Sequence, residues 1–273
     1  MTTWTAAVCE TNGISIHYHR SGGAKDPVLL LHGLMGSGLS WTPVAKVLAA
    51  GFDVIMPDAR GHGGSSAPDS GYGYDDHASD AIGLIHALGL ARPLIVGHSM
   101  GGMTAAVVAS RMGGDIAGLV LVDPTFLSPE LQREVYASDV ADQHRRALRL
   151  SKEELMAEAV ARHPRRPREI VELQVEARLD TSIAAFDVLA PPNPDYREVV
   201  RAIEVPTLLV IGDRSPVVTP EMAASLQALN ELVRVEQIQD AGHGLPFDQP
   251  GRLGALLLAT AAADSNRCCR RVR

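Results

Sequence analysis

Hydrophobic and polar positions over the first 123 residues form short apolar runs separated by longer amphipathic stretches. The apolar runs are rich in Val, Ile and Leu and end in polar residues or glycine, a pattern typical of buried strands. Strands are therefore predicted at residues 14–18, 28–31, 53–56, 94–96 and 119–122.

The amphipathic stretches between these runs predict helices. Over residues 75–88 the apolar positions recur at helical spacing, at Ala78, Ala81, Ile82, Ile85 and Leu88. A second helix is predicted over residues 100–112. Strands that alternate with helices in this way imply a mostly parallel sheet covered by helices on both faces.

The pattern changes after Asp123. Residues 124–203 are charged, helical in pattern and interrupted by prolines, and they contain no good strand run. The alternation then returns, with strands predicted at 207–211 and 233–238 and helices at 220–229 and 252–263. We therefore predict one α/β core, formed by residues 1–123 and 204–273, into which residues 124–203 are inserted as a helical cap.

The composition excludes several classes of protein. A chain of 273 residues suits one large domain that buries a core without disulfides. Its net charge of −7 disfavours a dedicated nucleic-acid binder. It shows no apolar run of membrane-spanning length and no disulfide framework, and no signal peptide is expected. We expect a cytoplasmic monomer or homodimer that has no nucleic-acid or membrane partner.

The strongest chemical signal is the sequence Gly97-His98-Ser99-Met100-Gly101, which lies between a predicted strand and a predicted helix. A G-x-S-x-G pattern in that context is typical of a nucleophilic serine on a tight strand-to-helix turn. Glycines are needed there because larger side chains would collide with adjacent backbone. Ser99 is therefore the predicted nucleophile.

A second signal is the loop His32-Gly33-Leu34-Met35-Gly36, which follows the strand predicted at 28–31. A glycine-containing loop at this place can turn a backbone N–H toward the serine. The N–H groups of Leu34 and Met100 would then form a two-donor oxyanion hole. His32 itself is interpreted as a structural residue that holds the loop in place.

The predicted general base is His243, which is flanked by glycines and follows the strand predicted at 233–238. It also comes after Ser99 along the chain, as a serine, acid, histidine order requires. His62, in Arg60-Gly61-His62-Gly63, also follows a strand and is interpreted as a residue that stabilises its loop.

These motifs together resemble the α/β-hydrolase superfamily, in the branch that has a helical cap. The resemblance covers about residues 11–263 and is carried by His32-Gly33, Arg60–Gly63, Gly97–Gly102 and Gly242-His243. It implies the α/β-hydrolase fold and a serine, acid, histidine triad. It is weakly specific for the substrate, because esterases, lactonases, carbon–carbon bond hydrolases and thioesterases share these motifs.

The chain departs from this family pattern at the triad acid. The position expected for the acid, just before Pro216, holds Ser215, which cannot stabilise an imidazolium electrostatically. Two carboxylates remain as candidates. Asp123 ends the preceding strand, and Asp213 lies in the same loop as Ser215 but two residues early. We favour Asp123 and keep Asp213 as the alternative.

The substrate should lie beneath the cap in a pocket with few aromatic residues. Its candidate lining residues are apolar: Leu34, Met35, Trp41, Met100, Phe126, Phe186, Leu189 and Leu245. No metal is predicted, since His17 and His19 share a strand face but no sequence signal gives them a third ligand. No cofactor is predicted either, because the glycines near Gly33 lack the dinucleotide-binding spacing.

The sequence thus predicts a serine hydrolase that cleaves a small or medium carboxylic ester or lactone through an acyl-enzyme. A carbon–carbon bond hydrolase or lyase on the same scaffold is the alternative. A non-catalytic ligand-binding protein is a third possibility, which the unusual acid position keeps open.

Overall fold

A computed structural model describes residues 4–214 and 216–271 of the chain. In these residues eight strands form one sheet, in the order β1-β2-β4-β3-β5-β6-β7-β8. The strands are β1 (Thr5–Thr11), β2 (Ile14–Arg20), β3 (Pro27–Leu31), β4 (Asp53–Pro57), β5 (Leu94–His98), β6 (Gly118–Val122), β7 (Thr207–Gly212) and β8 (Val233–Ile238). β1 and β2 pair antiparallel, and β2 pairs antiparallel with β4. All other neighbours are parallel, so the predicted mostly parallel sheet is confirmed.

The helices lie on both faces of the sheet and in the insertion. They are α1 (Thr42–Leu48), α2 (Tyr74–Ala87), α3 (Met100–Met112), α4 (Pro129–Ala137), α5 (Val140–Ala147), α6 (Lys152–Arg162), α7 (Arg168–Leu179), α8 (Tyr196–Arg201), α9 (Pro220–Leu229), α10 (Leu245–Asp248) and α11 (Pro250–Arg271). Short 3-10 helices span Gly38–Trp41, Gly113–Asp115 and Ile183–Leu189. In the part of the chain described, no helix combines the length and hydrophobicity that a membrane crossing needs.

Side chains of the central strands alternate between two hydrophobic cores. In β3, Leu29 and Leu31 pack on the face that α2 and α3 cover, whereas Val28 and Leu30 pack on the face of α1 and α11. Successive strand residues point to opposite faces of a sheet, so a strand buried on both sides needs an unbroken apolar run. This is why the central strands were readable from sequence.

Two core elements longer than four residues were not predicted. β1 has no apolar run, because it is an edge strand whose residues are half-buried or exposed. α1 was missed because it is only seven residues long, although Pro43 stands in its first turn and Val44, Ala45 and Leu48 are buried. The last helix begins at Pro250 and ends at Arg271, beyond the predicted 252–263.

The chain between β6 and β7 contains five α-helices and one 3-10 helix, and none of its described residues joins the eight-stranded sheet. α6 and α7 pack together around a small cluster of their own: Ala147, Leu155, Met156, Val171 and Val175. α6 begins at a capping box, in which Ser151 Oγ accepts from the Glu154 N–H and the Glu154 carboxylate accepts from the Ser151 N–H.

The insertion is joined to the core at both of its ends. Phe126 stacks on Tyr196 with 5.1 Å between ring centroids, and both belong to the core on the α2 and α3 face. At its middle, the Ser182 N–H donates to the Gly61 carbonyl at 2.8 Å. α7 also packs on the 3-10 helix Gly38–Trp41, so the insertion lies over the loop that follows β3.

Candidate active site

Ser99 lies at the sharp turn between β5 and α3. Its backbone φ of 55° and ψ of −118° belong to a sparsely populated region that costs a non-glycine residue free energy. The flanking glycines make the turn possible. A Cβ on Gly97 would stand 2.0 Å from the Gly101 carbonyl oxygen, and a Cβ on Gly101 would stand 2.3 Å from the Leu31 oxygen. Both positions therefore require glycine for steric reasons.

His243 contacts the serine hydroxyl from the loop that follows β8. Its Nε2 lies 3.0 Å from Ser99 Oγ, which is hydrogen-bond distance. The backbone of His243 is held by His98, whose Nε2–H donates to the His243 carbonyl at 2.8 Å. Burial, and then the nearby His243, lower the pKa of His98 to about 3, so the His98 ring is neutral at pH 7.

Asp123 completes a chain of three side chains. Its Oδ2 lies 2.6 Å from His243 Nδ1, and its side chain is fully buried. Two backbone groups from the loop after β7 also donate to this carboxylate, Val217 N–H at 2.9 Å and Val218 N–H at 2.8 Å. Hydrogen bonds of this kind stabilise the charged form of a buried carboxylate.

Asp213, the alternative acid, lies in a different environment. It is exposed, and its Oδ1 accepts a hydrogen bond from the Ala241 N–H at 3.1 Å. Backbone donors, first that of Asp240, lower the pKa of Asp213. The carboxylate that meets the histidine is thus that of Asp123 and not that of Asp213. Ser215 lies outside the described residues.

The loop after β3 lies directly against the serine. A Cβ on Gly33 would stand 3.0 Å from Ser99 Cβ and 3.2 Å from His98 Nδ1. Among the described residues, neither the Leu34 N–H nor the Met100 N–H donates to a protein acceptor. Both groups are therefore free to bind an oxygen of a substrate, and their role in an oxyanion hole stays a prediction.

Two buried histidines fix the loops around the site, as their interpretation as structural residues predicted. The His32 ring donates from Nδ1 to the Gly33 carbonyl at 2.8 Å and accepts from the Ala59 N–H at 3.0 Å. The His62 ring donates from Nδ1 to the Arg60 carbonyl at 2.9 Å and accepts from the Met35 N–H at 3.3 Å. Burial lowers the pKa of both rings and keeps them neutral.

His17 and His19, for which no partner was predicted, do have one. The structure brings Asp58 to them, with ligand atoms of the three residues within 4.8 Å of one another. The Asp58 carboxylate already has partners: His17 Nδ1 at 2.7 Å, the Gly38 N–H at 2.7 Å and the Gly64 N–H at 3.0 Å. It thereby joins β2 to two loops of the core. The prediction that no metal is bound stays a prediction.

A cavity of about 240 Å³ lies between the core and the insertion, and Gly33 and His98, which adjoin Ser99, are part of its wall. Core residues that line it include Gly33, Leu34, Met35, Trp41 and His98. The insertion contributes Leu155, Glu158, Ala159, Arg162, His163, Gln174, Val175 and Arg178, and the segment after His243 contributes Pro246 and Phe247. Three of the predicted pocket residues, Leu34, Met35 and Trp41, therefore stand in its wall.

Five predicted pocket residues do not line this cavity. Phe126 stacks on Tyr196, and Phe186 stacks on His144 at 4.9 Å. Leu245 is fully buried in the core on the α1 and α11 face, while Leu189 and the Met100 side chain pack into the opposite core. Large apolar residues are usually buried in any core, so residue type alone could not distinguish pocket from packing.

The lining residues of α6 and α7 were not predicted from the sequence. A signal was present, because Leu155, Ala159 and Arg162 recur at intervals of four and three, which places them on one face of a helix. The periodicity shows that these three side chains lie on one face of the helix. It does not show which part of the protein that face contacts. Only the packing of α6 and α7 over the core directs it into the cavity.

Comparison with known proteins identifies the family of the chain. Residues 28–256 match the alpha/beta hydrolase family. The chain is 31% identical over 242 residues to N-formylmaleamate deformylase of Pseudomonas putida, which covers 87% of this chain and 89% of that protein.

Two solved structures are similar to the fold. One is E-2-(acetamidomethylene)succinate hydrolase, with a TM-score of 0.81 and 22% identity, covering 93% of this chain and 98% of the other. The second is a thermophilic esterase from Thermogutta terrifontis, with a TM-score of 0.77 and 26% identity, covering 95% and 99%. From the family match and the deformylase identity together, the chain belongs to the alpha/beta hydrolase family.

Proposed function

We propose that this protein is a serine hydrolase that cleaves a small or medium carboxylic ester or lactone through an acyl-enzyme intermediate. The observation that carries the proposal is the continuous contact from Ser99 Oγ through the His243 ring to Asp123, at 3.0 and 2.6 Å. A nucleophile, a base and an orienting carboxylate at these distances are the parts that acyl transfer needs.

In the first half-reaction, Ser99 Oγ attacks the substrate carbonyl carbon while its proton passes to His243 Nε2. Asp123 holds Nδ1–H and stabilises the imidazolium that forms. The negative charge that develops on the carbonyl oxygen is stabilised by the N–H groups of Leu34 and Met100. The tetrahedral intermediate then expels the alkoxide, which takes the proton from His243.

In the second half-reaction, water attacks the acyl-enzyme. His243 accepts one proton of that water and returns it to Ser99 Oγ as the carboxylic acid leaves. A lactone follows the same steps, except that its alcohol remains attached to the acyl group, so the product is a hydroxy acid.

The insertion, residues 124–203, is proposed to act as a cap over this site. Its helices α6 and α7 supply about half of the cavity wall, while the reacting side chains come from the core. A cavity closed by a separate layer limits the access of water and shapes the space for the acyl group.

A second candidate function is hydrolysis of an amide-type carbon–nitrogen bond. It is favoured by the 31% identity to a deformylase named for N-formylmaleamate. The triad chemistry is the same, except that an amine leaves and needs a proton from His243. Carbon–carbon bond cleavage remains the alternative on this scaffold.

The proposal is tested by a fluorophosphonate probe, which should label Ser99, and by turnover of 4-nitrophenyl esters, lactones, N-formyl amides and β-diketones. Ser99→Ala is the control for both measurements. Labelling with turnover of esters or lactones supports the proposal. Labelling with turnover of amides alone would indicate a carbon–nitrogen bond hydrolase, and labelling with turnover of diketones alone would indicate a carbon–carbon bond hydrolase. Absence of both labelling and turnover would instead indicate a ligand-binding protein.

A further inference from the structure

The cavity wall formed by the insertion carries two guanidinium groups. Arg162 comes from the last turn of α6, and Arg178 from the last turn of α7. Among the described residues that line the cavity, Glu158 is the acidic one. Burial, and then the charges of Arg166 and Arg162, lower the pKa of His163, so this ring adds no charge at pH 7. The wall therefore carries a net positive charge.

Arg178 is half-buried and has no ion-pair partner within 4.0 Å among the described residues. Its Nη2 donates to the Gln143 carbonyl at 3.3 Å, but its buried Nε finds no acceptor among the same residues. Desolvation, and then the charge of Arg162, lower the pKa of Arg178, whereas Glu158 raises it. A guanidinium in this position is stabilised by an anion.

Arg166, which lies between α6 and α7, shows the contrasting arrangement. Its Nε donates to Asp248 Oδ1 at 2.8 Å and its Nη1 to Gln174 Oε1 at 2.9 Å. Its guanidinium also lies 5.5 Å from the centroid of the Phe247 ring. The charge of Arg166 is thus compensated within the protein, and it holds the segment after His243 against the insertion.

The two guanidinium groups line the same cavity as Gly33 and His98, the residues next to Ser99. The cavity includes Gly33, at which a Cβ would stand 3.0 Å from Ser99 Cβ, and it extends to Arg162 and Arg178. A small molecule can therefore place one group at the serine and another at the arginines. Apolar residues of the same wall, such as Leu34, Leu155 and Val175, suit the carbon chain that joins the two groups.

We infer that the substrate is a carbonyl compound that also carries a carboxylate, which binds Arg178 and Arg162 while the carbonyl lies at Ser99. This inference rests on the proposed function and names its substrate class. Guanidinium groups bind carboxylates in a planar, bidentate geometry and are therefore suited to select acidic substrates over neutral ones of the same length.

The test compares mono-4-nitrophenyl adipate with 4-nitrophenyl hexanoate, whose acyl chains have the same number of carbons. The wild type should prefer the adipate in kcat/KM, and added NaCl should reduce the preference. In Arg178→Gln the ratio of adipate to hexanoate should fall by about 10- to 100-fold, mainly through KM for the adipate. Arg178→Lys should retain part of the preference. The exposed Arg162→Gln should lower the ratio several-fold.

The matched control is Arg168→Gln, an exposed arginine at the start of α7 that is not in the cavity wall. It should leave the ratio at the wild-type value. A wild type that hydrolyses both esters equally, with the same ratio in Arg178→Gln and Arg162→Gln, would overturn the inference and leave the proposed hydrolase standing.

Binding of adipate by calorimetry separates the two proposals. Adipate binding that is lost in Arg178→Gln supports the anion site. It does so even if Ser99 is not labelled and no ester is turned over, a result that would contradict the proposed function alone. Absence of adipate binding to the wild type, together with no preference for the acidic ester, contradicts the inference.

Discussion

Asp123 Oδ2 and His243 Nδ1 lie 2.6 Å apart, although 120 residues separate them in the sequence. The loop after β7, in which the family pattern places the acid, instead donates two backbone N–H groups to the Asp123 carboxylate. The carboxylate therefore comes from the end of the neighbouring strand β6, and the β7 loop orients it.

Asp123→Asn should cripple the enzyme while leaving it folded. The amide cannot stabilise the imidazolium and can favour the wrong tautomer of His243, so kcat should fall by about 10⁴-fold, or about 5 kcal/mol. Asp213→Asn is the matched control and should change kcat by less than about tenfold, as expected for an exposed carboxylate. Steady-state kinetics with circular dichroism of both variants decide the assignment, and the reverse ranking would show that Asp213 is the acid.

Ser99→Ala should remove the nucleophile. We expect kcat to fall by about 10⁴- to 10⁶-fold with folding intact, because hydrolysis would then depend only on the remaining groups of the site. Retention of near wild-type turnover would exclude Ser99 from the mechanism. Fluorophosphonate labelling, followed by peptide mapping, should also be lost in this variant.

Gly97→Ala should destabilise the protein strongly. The added methyl would stand 2.0 Å from the Gly101 carbonyl oxygen, which belongs to backbone that cannot move without displacing α3. Overpacking of this kind costs about 1–3 kcal/mol or more. Gly114→Ala is the control, since a methyl there meets nothing within 4 Å. Urea unfolding of both variants should show a large loss for the first and little change for the second.

Acid should destabilise the fold through its buried histidines. Burial is the largest cause that lowers the pKa of His77 and of His98 to about 3, so both rings stay neutral in the folded protein as pH falls below 6.5. The unfolded chain binds these protons, so the free energy of unfolding falls between about pH 6.5 and pH 3, by up to about 1.4 kcal/mol per pH unit for each ring.

His77→Leu tests this pH dependence. Below pH 6 the slope of unfolding free energy against pH should be smaller than in the wild type by up to about 1.4 kcal/mol per pH unit. His86→Gln is the control, because His86 is exposed on the same helix, α2. Urea unfolding between pH 7.5 and 5 measures the slope, and identical slopes in His77→Leu and the wild type would contradict the prediction.

Substitutions at the predicted pocket residues should distinguish those that line the cavity from those that are packed in a core. Phe126→Ala should lower stability by about 3–5 kcal/mol, since Phe126 is buried and stacked on Tyr196. Met35→Ala, in the cavity wall, should instead change KM with the length of the acyl chain. Thermal unfolding and kinetics with acetate, butyrate and hexanoate esters measure the two effects. Little loss of stability in Phe126→Ala would contradict the prediction, because it would show that the packing of the Phe126 ring contributes little to the stability of the fold.

Most of the core could be predicted from the sequence because buried parallel strands need unbroken apolar runs, which β3 to β7 all show. The edge strand β1 could not, since only one of its faces packs and its pattern is weak. Ser99 and His243 were identifiable for a similar reason. Each is flanked by glycines that a tight turn requires, and such constraints are local in sequence.

The sequence by itself determined the order of strands and helices and the two loops that carry Ser99 and His243, because periodicity and turn chemistry act between near neighbours. The sequence left both Asp123 and Asp213 as candidates for the acid. It also could not show which face of α6 and α7 packs toward the core. The tertiary structure brings Asp123, and not Asp213, to hydrogen-bond distance from His243, and it packs α6 and α7 over the core. The role of Asp123 as the triad acid stays a prediction. The Asp123 and Asp213 carboxylates are distinguished by their distance to His243 Nδ1, which depends on the packing of separate loops. The arginines of α6 and α7 line the cavity because the insertion packs over the core. Both relationships join residues far apart in the chain, and the packing of the whole fold determines them.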